Sequence, residues 1–305
     1  MPRSLLRARH LALLVLGLVV FTTGFAPALG TSSAERAGMA GRAHAAQAED
    51  PSCPAEGLTT VANGQLRMPH GAQPGATRLL VAVMSGGDGD ANDYLKLGAA
   101  ATREGIAVLY PTGRAGSIWQ IAASFGSSDV TLVSGLLDRV LATGCFDPNR
   151  ISITGVSNGA GFATRMACAL PGRFAAVVAV AAGYRALDPC PGTRASFLAI
   201  HGSADTIVPF NGRPPDYKGN VQRYAAGWAR RDGCSVTARS YRPHHDVTRF
   251  VFDRCAAGMK VQILLLTGTD HGWPGAPPPF PSRNPSGVDA NLEVLRFVRH
   301  ATRPA

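Results

Sequence analysis

A serine hydroxyl becomes a useful nucleophile only when a base stands beside it and the backbone holds it in an exposed, fixed position. Gly155-Val156-Ser157-Asn158-Gly159 meets the positional half of that demand. This G-x-S-x-G pentapeptide comes after a β-type run, Ile151-Ser152-Ile153-Thr154. A helix-compatible segment from Gly161 to Leu170 succeeds it. Strand, sharp turn and helix is the context in which the pattern makes a nucleophile elbow. Glycines two residues to either side of Ser157 leave room for the crossing. Small residues also cluster in ordinary turns, so the pentapeptide gains its weight from an acid and a base further along the chain.

These two stand in a telling order. His201-Gly202-Ser203-Ala204-Asp205 comes directly after the apolar run Phe197–Ile200, and Asp270-His271-Gly272-Trp273 lies in the loop after Val261–Leu266. Asp205 there can accept a hydrogen bond from a histidine, fix its tautomer and stabilise the imidazolium that proton transfer creates. His271 then serves as general base and afterwards as general acid. The order Ser157, Asp205, His271 is the one hydrolases built on an open α/β sheet use. Other residues compete for these roles. His201 is upstream of Asp205 in a turn, where a structural role is expected. His244-His245 reads as a solvated pair or an adventitious metal contact. Asp253 or Asp270 could replace Asp205, although Asp270 adjoins His271 and neighbours rarely face each other.

Acyl transfer also needs donors for the developing oxyanion. The N–H of Asn158, directly after the nucleophile, is one. The other is assigned to Gly87, in the loop Ser85-Gly86-Gly87-Asp88 after the strand Leu79–Met84. The continuation Asp88 to Asp93 resembles a calcium loop. It lacks glycine at the sixth position and glutamate at the twelfth, where Ala99 stands, so it reads as a polar turn. No cofactor or metal is expected. Trp119, Phe210 and Trp273 are candidates for a substrate pocket, since aromatics line pockets and cores alike.

The elements that must position these groups alternate in type. Leu79–Met84, Ile106–Tyr110, Ala176–Ala182, Phe197–His201 and Val261–Leu266 are apolar runs, as buried parallel strands require. Asp129 to Leu141 places Val130, Val133, Leu136, Leu137, Val140 and Leu141 on one helical face, with Asp129 or Ser128 as cap. Asp147-Pro148-Asn149 reads as the turn launching the elbow strand. Asn220–Asp232 and Asn291–His300 look helical. Val236–Tyr241 and Val247–Phe252 suit a hairpin. The expectation is an α/β fold: a mostly parallel central sheet, helices on both faces, no large lid and no internal repeat.

The N-terminus reads differently. Arg3, Arg7 and Arg9 precede an apolar run from Leu11 to Phe21, then small residues at Ala26, Ala28 and Gly30. Residues 1–30 are expected to be a secretory signal peptide, and the run is short for a membrane span. Cleavage could fall after Ala28, Gly30 or Ala48. Residues 31–50 read as a disordered spacer, and 51–305 as a single catalytic domain. Five arginines (3, 7, 9, 36 and 42) and Glu35 precede residue 49, so the net charge of +10 falls to +6 without them. No Lys/Arg run interleaves with aromatics, which argues against a nucleic-acid site. Cysteines 53, 145, 168, 190, 234 and 255 make an even set in an exported chain, which suggests three disulfides. Fifteen pairings are possible. Cys53–Cys145, Cys168–Cys190 and Cys234–Cys255 is the preferred set, and the last flanks the hairpin. With no C-x-x-C, zinc or thioredoxin-type chemistry has little support.

The motifs carry a family resemblance, from about Gly64 to Pro274. Asp147-Pro148-Asn149-Arg150 leads to Thr154-Gly155-Val156-Ser157-Asn158-Gly159 and then Leu170-Pro171-Gly172-Arg173-Phe174. His201-Gly202-Ser203-Ala204-Asp205 with Val208-Pro209-Phe210, and His271-Gly272-Trp273-Pro274-Gly275, complete it. The chain resembles secreted esterases of the polyhydroxybutyrate depolymerase and feruloyl esterase family, in the α/β-hydrolase superfamily, and the resemblance implies the α/β-hydrolase fold. That resemblance implies Ser157, Asp205 and His271 as the triad. Where the family usually has His-Gly in the oxyanion loop, this chain has Ser85-Gly86. Depolymerases of solid polyester commonly carry an extra binding domain. No such domain is expected after the closing helix, so the expected substrates are soluble or oligomeric esters: feruloyl or acetyl esters of plant polysaccharide first, hydroxyalkanoate oligomers second. The expected protein is extracellular and monomeric, with an ester as its partner and no membrane contact after cleavage. A non-catalytic binding protein with this fold would lack a triad member. A lipase would need an apolar lid, and Gly212–Gly219 is polar and Pro-rich.

Overall fold

The computed structural model describes residues 52–84, 95–114, 118–121, 128–184, 190, 192–213, 220–277 and 283–304. The signal and spacer segments, the loop Ser85–Asp93 with Gly87, and residues 214–219 of the Gly212–Gly219 segment lie outside them. In chain order the strands are β1 (Gly57–Thr60), β2 (Gly64–Met68), β3 (Thr77–Val83), β4 (Ile106–Pro111), β5 (Phe146–Val156), β6 (Ala176–Val180), β7 (Ser196–Gly202), β8 (Arg239–His244), β9 (Val247–Phe252) and β10 (Val261–Leu266). The helices are α1 (Leu97–Arg103), α2 (Ser128–Leu141), α3 (Asn158–Ala169), α4 (Val221–Arg231) and α5 (Ala290–Val298).

These strands form one sheet in the order β1-β2-β4-β3-β5-β6-β7-β10-β9-β8. Every pairing from β4 to β10 is parallel, while β1, β2, β8 and β9 extend the two edges antiparallel. Alternation along β3 explains why both faces must be covered. Leu79, Val81 and Val83 face one core with α2, α3 and α4, and Leu80, Ala82 and Met84 face the other with α1 and α5. A strand apolar on both faces can sit only inside an α/β layer, so the fold is the mostly parallel sheet expected. Among the described residues no helix is long and apolar enough to cross a membrane.

Several boundaries differ from the expected ones, each for a local reason. β6 stops at Val180 because Ala181 takes φ 49°, which no strand continues through. Asp147-Pro148-Asn149 belongs to β5 as an irregular insertion instead of a preceding turn. Thr77 pairs with Phe146, whereas Leu79 already pairs with Ile151. β8 begins at Arg239, not Val236, whose side chain is exposed. β1, β2 and α1 have no counterpart in the sequence pattern: each is under eight residues, too short for a period to stand out.

Cys53–Cys145, Cys168–Cys190 and Cys234–Cys255 are the disulfides. They close loops of very different length, with sequence separations of 92, 22 and 21. In the chain-entropy picture the longest loop restrains the unfolded chain most. Converting Cys53 and Cys145 together to alanine is expected to lower the unfolding free energy by up to about 4–5 kcal/mol, against about 3 for either short loop. Urea melts would show this; losses ranked the other way would contradict it.

One buried acid lies outside the candidate site. Asp232 comes directly after α4 with no exposed surface, and neither carboxylate oxygen has a well-formed hydrogen bond. Burial pushes its pKa up to about 7, against opposing pulls from the Ala195 N–H, Arg231 and Arg194. The folded chain therefore holds a proton that the unfolded chain releases between about pH 4 and 7. Stability should fall across that window as pH rises. Asp232→Asn removes the titration. Its stability relative to wild type should improve by a few kcal/mol from pH 4 to 8 in denaturant melts, and a pH-independent difference would rule out this source.

Candidate active site

The nucleophile candidate sits where β5 turns into α3. Ser157 has φ 55° and ψ −121°, a strained conformation for a residue with a side chain. Two backbone bonds hold it there. Its N–H donates to the Val180 carbonyl at 2.9 Å, and its carbonyl accepts from Gly161 N–H at 3.0 Å. The helix starts at Asn158, three residues before the expected Gly161. The flanking glycines are required by close backbone approach. A Cβ at Gly155 would lie 2.6 Å from the Gly159 and Val83 backbones, and one at Gly159 would overlap the Val83 carbonyl. β3, β5 and α3 therefore meet backbone to backbone beneath the serine.

Asp205 comes from the turn after β7. Its Oδ1 accepts from the N–H groups of Ile207 at 3.0 Å and Val208 at 2.7 Å, and its Oδ2 accepts from His271 Nδ1 at 2.8 Å. Burial alone would raise its pKa. Hydrogen bonds from His201, His271 and the Val208 amide outweigh that and hold it well below the usual carboxylate range. Its stabilising charge is complete above the ordinary carboxylate pKa and is lost only as acid protonates it below that value.

His271 links the other two. Asp205 can only accept, so His271 Nδ1 carries the proton, and Nε2 is free to accept from Ser157 Oγ at 2.8 Å. The imidazole is mostly buried, with 16% of its side chain exposed. The loop bearing it passes over the end of β7. Ala204 N–H donates to the Thr269 carbonyl at 2.9 Å, and a Cβ at Gly202 would collide with that same carbonyl. Gly202 therefore allows the histidine loop to lie against the acid turn. Sequence reasoning missed this, because the contact joins residues far apart in the chain.

The competing residues are elsewhere or do something else. His201 is buried against the acid: its Nε2–H donates to the Val208 carbonyl at 2.7 Å and lies 3.4 Å from Asp205 Oδ2, so it braces the turn. Asp253 pairs with Arg239 on the surface. Asp270 donates its N–H to the Arg283 carbonyl and does not hold His271. His244 and His245 are exposed at the end of β8 and in the turn to β9.

Two pocket candidates are interior residues. Trp119 is 3% exposed and stacks on Phe162 with ring centroids 4.6 Å apart. Its indole N–H donates to the Met84 carbonyl at 2.6 Å. The Asn158 side chain clamps the Trp119 backbone from both sides, accepting from its N–H at 2.8 Å and donating to its carbonyl at 3.0 Å. Trp119 thus fastens the strap 118–121 to the elbow. Trp273 is 2% exposed, and its Nε1–H donates to Asn291 Oδ1 at 3.1 Å, tying the histidine loop to α5. Phe210 is half-buried, edge-on to His201 at 5.9 Å.

The fold is of the α/β-hydrolase type, and the strand-end site is arranged as in hydrolases of that architecture. Comparison with known proteins supports that class. Residues 64–185 match the family model described as esterase PHB depolymerase. The chain is 26% identical over 263 residues to "Putative esterase NocK" of Nocardia uniformis, covering 73% of this chain and 75% of that protein. It is 31% identical over 118 residues to "Probable feruloyl esterase C" of Aspergillus oryzae, covering 38% of this chain and only 42% of that protein. Among solved structures, an acetyl xylan esterase from Aspergillus awamori superposes with a TM-score of 0.58 at 14% identity, covering 80% of this chain and 98% of that one. That likeness shows the fold.

Gly202→Ala tests how the site is assembled. The added methyl must displace the Thr269 carbonyl and with it His271. Ester turnover is expected to fall about 100-fold, with a melting temperature lowered by overpacking. Full activity would mean that the loop does not depend on this gap.

Proposed function

We propose that this protein is an exported serine esterase that cleaves carboxylic esters through an acyl-enzyme on Ser157. The observation that carries the reading is the unbroken hydrogen-bond line from Ser157 Oγ through His271 to Asp205, at 2.8 Å and 2.8 Å. Ser157 Oγ attacks the ester carbonyl carbon while its proton passes to His271 Nε2. Asp205 stabilises the imidazolium. Collapse of the tetrahedral intermediate breaks the bond to the alcohol, which leaves with the proton from Nε2. A water molecule then gives its proton to Nε2 and attacks the acyl carbon, releasing the acid and restoring Ser157. The oxyanion is assigned to the N–H of Asn158, at the start of α3 where the helix dipole favours negative charge, and to the N–H of Gly87.

Feruloyl or acetyl esters of plant polysaccharide are the proposed substrates, supported by the similarity to feruloyl esterases. Ile118 and Ile207, each next to a residue that builds the site, are exposed large aliphatics that suit an apolar acyl or alcohol group. Hydrolysis of hydroxyalkanoate oligomers is the second reading, favoured by the family model matched over residues 64–185. Export is supported by the arginine-led apolar segment of residues 3–30 and by three disulfides, which persist in oxidising compartments. Residues 51–305 are proposed as the catalytic domain of a monomer.

The test is initial hydrolysis rates of the mature protein on methyl ferulate, acetylated xylan and a 3-hydroxybutyrate oligomer, beside Ser157→Ala and Asp205→Asn. Ser157→Ala should abolish turnover with the fold intact, and Asp205→Asn should lower kcat by a factor on the order of 10⁴ by favouring the wrong tautomer. Retained turnover in Ser157→Ala would remove the nucleophile assignment. Preference for the oligomer would select the second reading.

A further inference from the structure

The turn joining β8 and β9 gathers three side chains of the kinds that bind transition metals. His244, His245 and Asp246 each offer one ligand atom, and these atoms all lie within 4.8 Å of one another. Consecutive residues of a strand point to opposite faces, so such a cluster needs the alternation to be broken. It is broken here. The β8–β9 ladder shifts register between Tyr241 and His244, next to Pro243, which has no N–H to give to a partner. His244 then pairs with Val247, leaving His245 and Asp246 as the two turn residues. The two imidazole rings stand 4.2 Å apart at their centroids, and His245 Nε2 is 2.5 Å from Asp246 Oδ2.

The turn is anchored as well as clustered. Thr267 N–H donates to the Asp246 carbonyl at 2.8 Å, fixing the turn to the loop that leaves β10. Both histidines are exposed and Asp246 is half-buried, so a metal ion can reach the donors directly.

We propose that His244, His245 and Asp246 form a binding site for a divalent transition-metal ion of the zinc class, independent of the ester chemistry. The ligand types set the class. A lone carboxylate with carbonyls would suit calcium or magnesium, whereas two imidazoles with one carboxylate suit zinc, copper(II) or nickel. With bonds of about 2.0–2.2 Å, ligand atoms around a tetrahedral ion sit roughly 3.4 Å apart. Rotation of the exposed side chains closes the remaining gap. Water completes the coordination on the solvent side. The consequence lies at the edge of the sheet. All six residues of β8 are exposed, and an ion held by His244 and the two turn residues fixes the end of β8 to the turn, where an unprotected edge would fray.

The experiment is a titration of the disulfide-intact full chain with zinc chloride in metal-free buffer near neutral pH, monitored by calorimetry and by thermal melts. Wild type is compared with His244→Ala, His245→Ala and Asp246→Asn. These substitutions lie outside the candidate active site, so hydrolysis of a short ester without metal should stay at the wild-type rate and certify the fold. The expected result is one zinc per chain at this turn, an affinity at least about tenfold weaker in each variant, and a zinc-dependent rise in melting temperature that His245→Ala loses. Wild-type stoichiometry and affinity in the His244→Ala/His245→Ala double variant would place the zinc elsewhere, at His271 for example, and overturn the proposal. An absence of saturable binding to wild type would overturn it too.

Discussion

Everything at the candidate site rests on one close approach, where the backbones of β3, β5 and α3 meet beneath Ser157 with no side chain between them. Gly155 and Gly159 have no Cβ because the Val83 carbonyl occupies that space. The crossing forces Ser157 to φ 55°, a conformation costing on the order of 1–3 kcal/mol in isolation. The bonds to the Val180 and Gly161 backbones over-determine it. The gain is a hydroxyl held at the carboxyl end of the sheet, pointing at an imidazole and unable to rotate away with the chain.

The rest of the site is assembled by the same edge of the sheet. β5, β7 and β10 supply the serine, the acid turn and the histidine loop, and only β6 stands between β5 and β7. Parallel pairing brings the three strand ends into one row, so residues far apart in the chain need only short loops to meet. Each loop is then pinned by groups outside the Ser157–His271–Asp205 line. His201 and two amides brace Asp205, Trp273 ties the histidine loop to α5, and Asn158 clamps the strap carrying Trp119. Preorganisation of this kind is what the proposed proton transfer requires, since the donors need no rearrangement at the moment of reaction.

That Ser157, Asp205 and His271 could be brought together was legible in the sequence because each comes after an apolar run that can be read as a buried strand, and strand ends are where open α/β sheets gather ligands. The two-faced sheet was legible for the same reason: Leu79 to Met84 is apolar at every position. What the sequence hid were contacts between distant residues. Nothing in the order of residues says that the Asn158 side chain grips residue 119, that Gly202 makes space for Thr269, or that His201 leans on Asp205. The two tryptophans show the limit most clearly. Their type fits a pocket or a core equally, and only the packing of Phe162 and Asn291 against them decides for the interior. β1 and β2 escaped because an edge strand of four or five residues has too little pattern to separate from a loop.

The central claim is that Ser157 is an activated nucleophile held by this line of hydrogen bonds. The most direct measurement is covalent: treat the mature protein with a fluorophosphonate, digest it and map the adduct by mass spectrometry. The account predicts one stoichiometric adduct, on the peptide containing Ser157, that forms far more slowly in His271→Ala. Hydrolysis that continues with Ser157 unmodified, or an adduct on another residue, would contradict it.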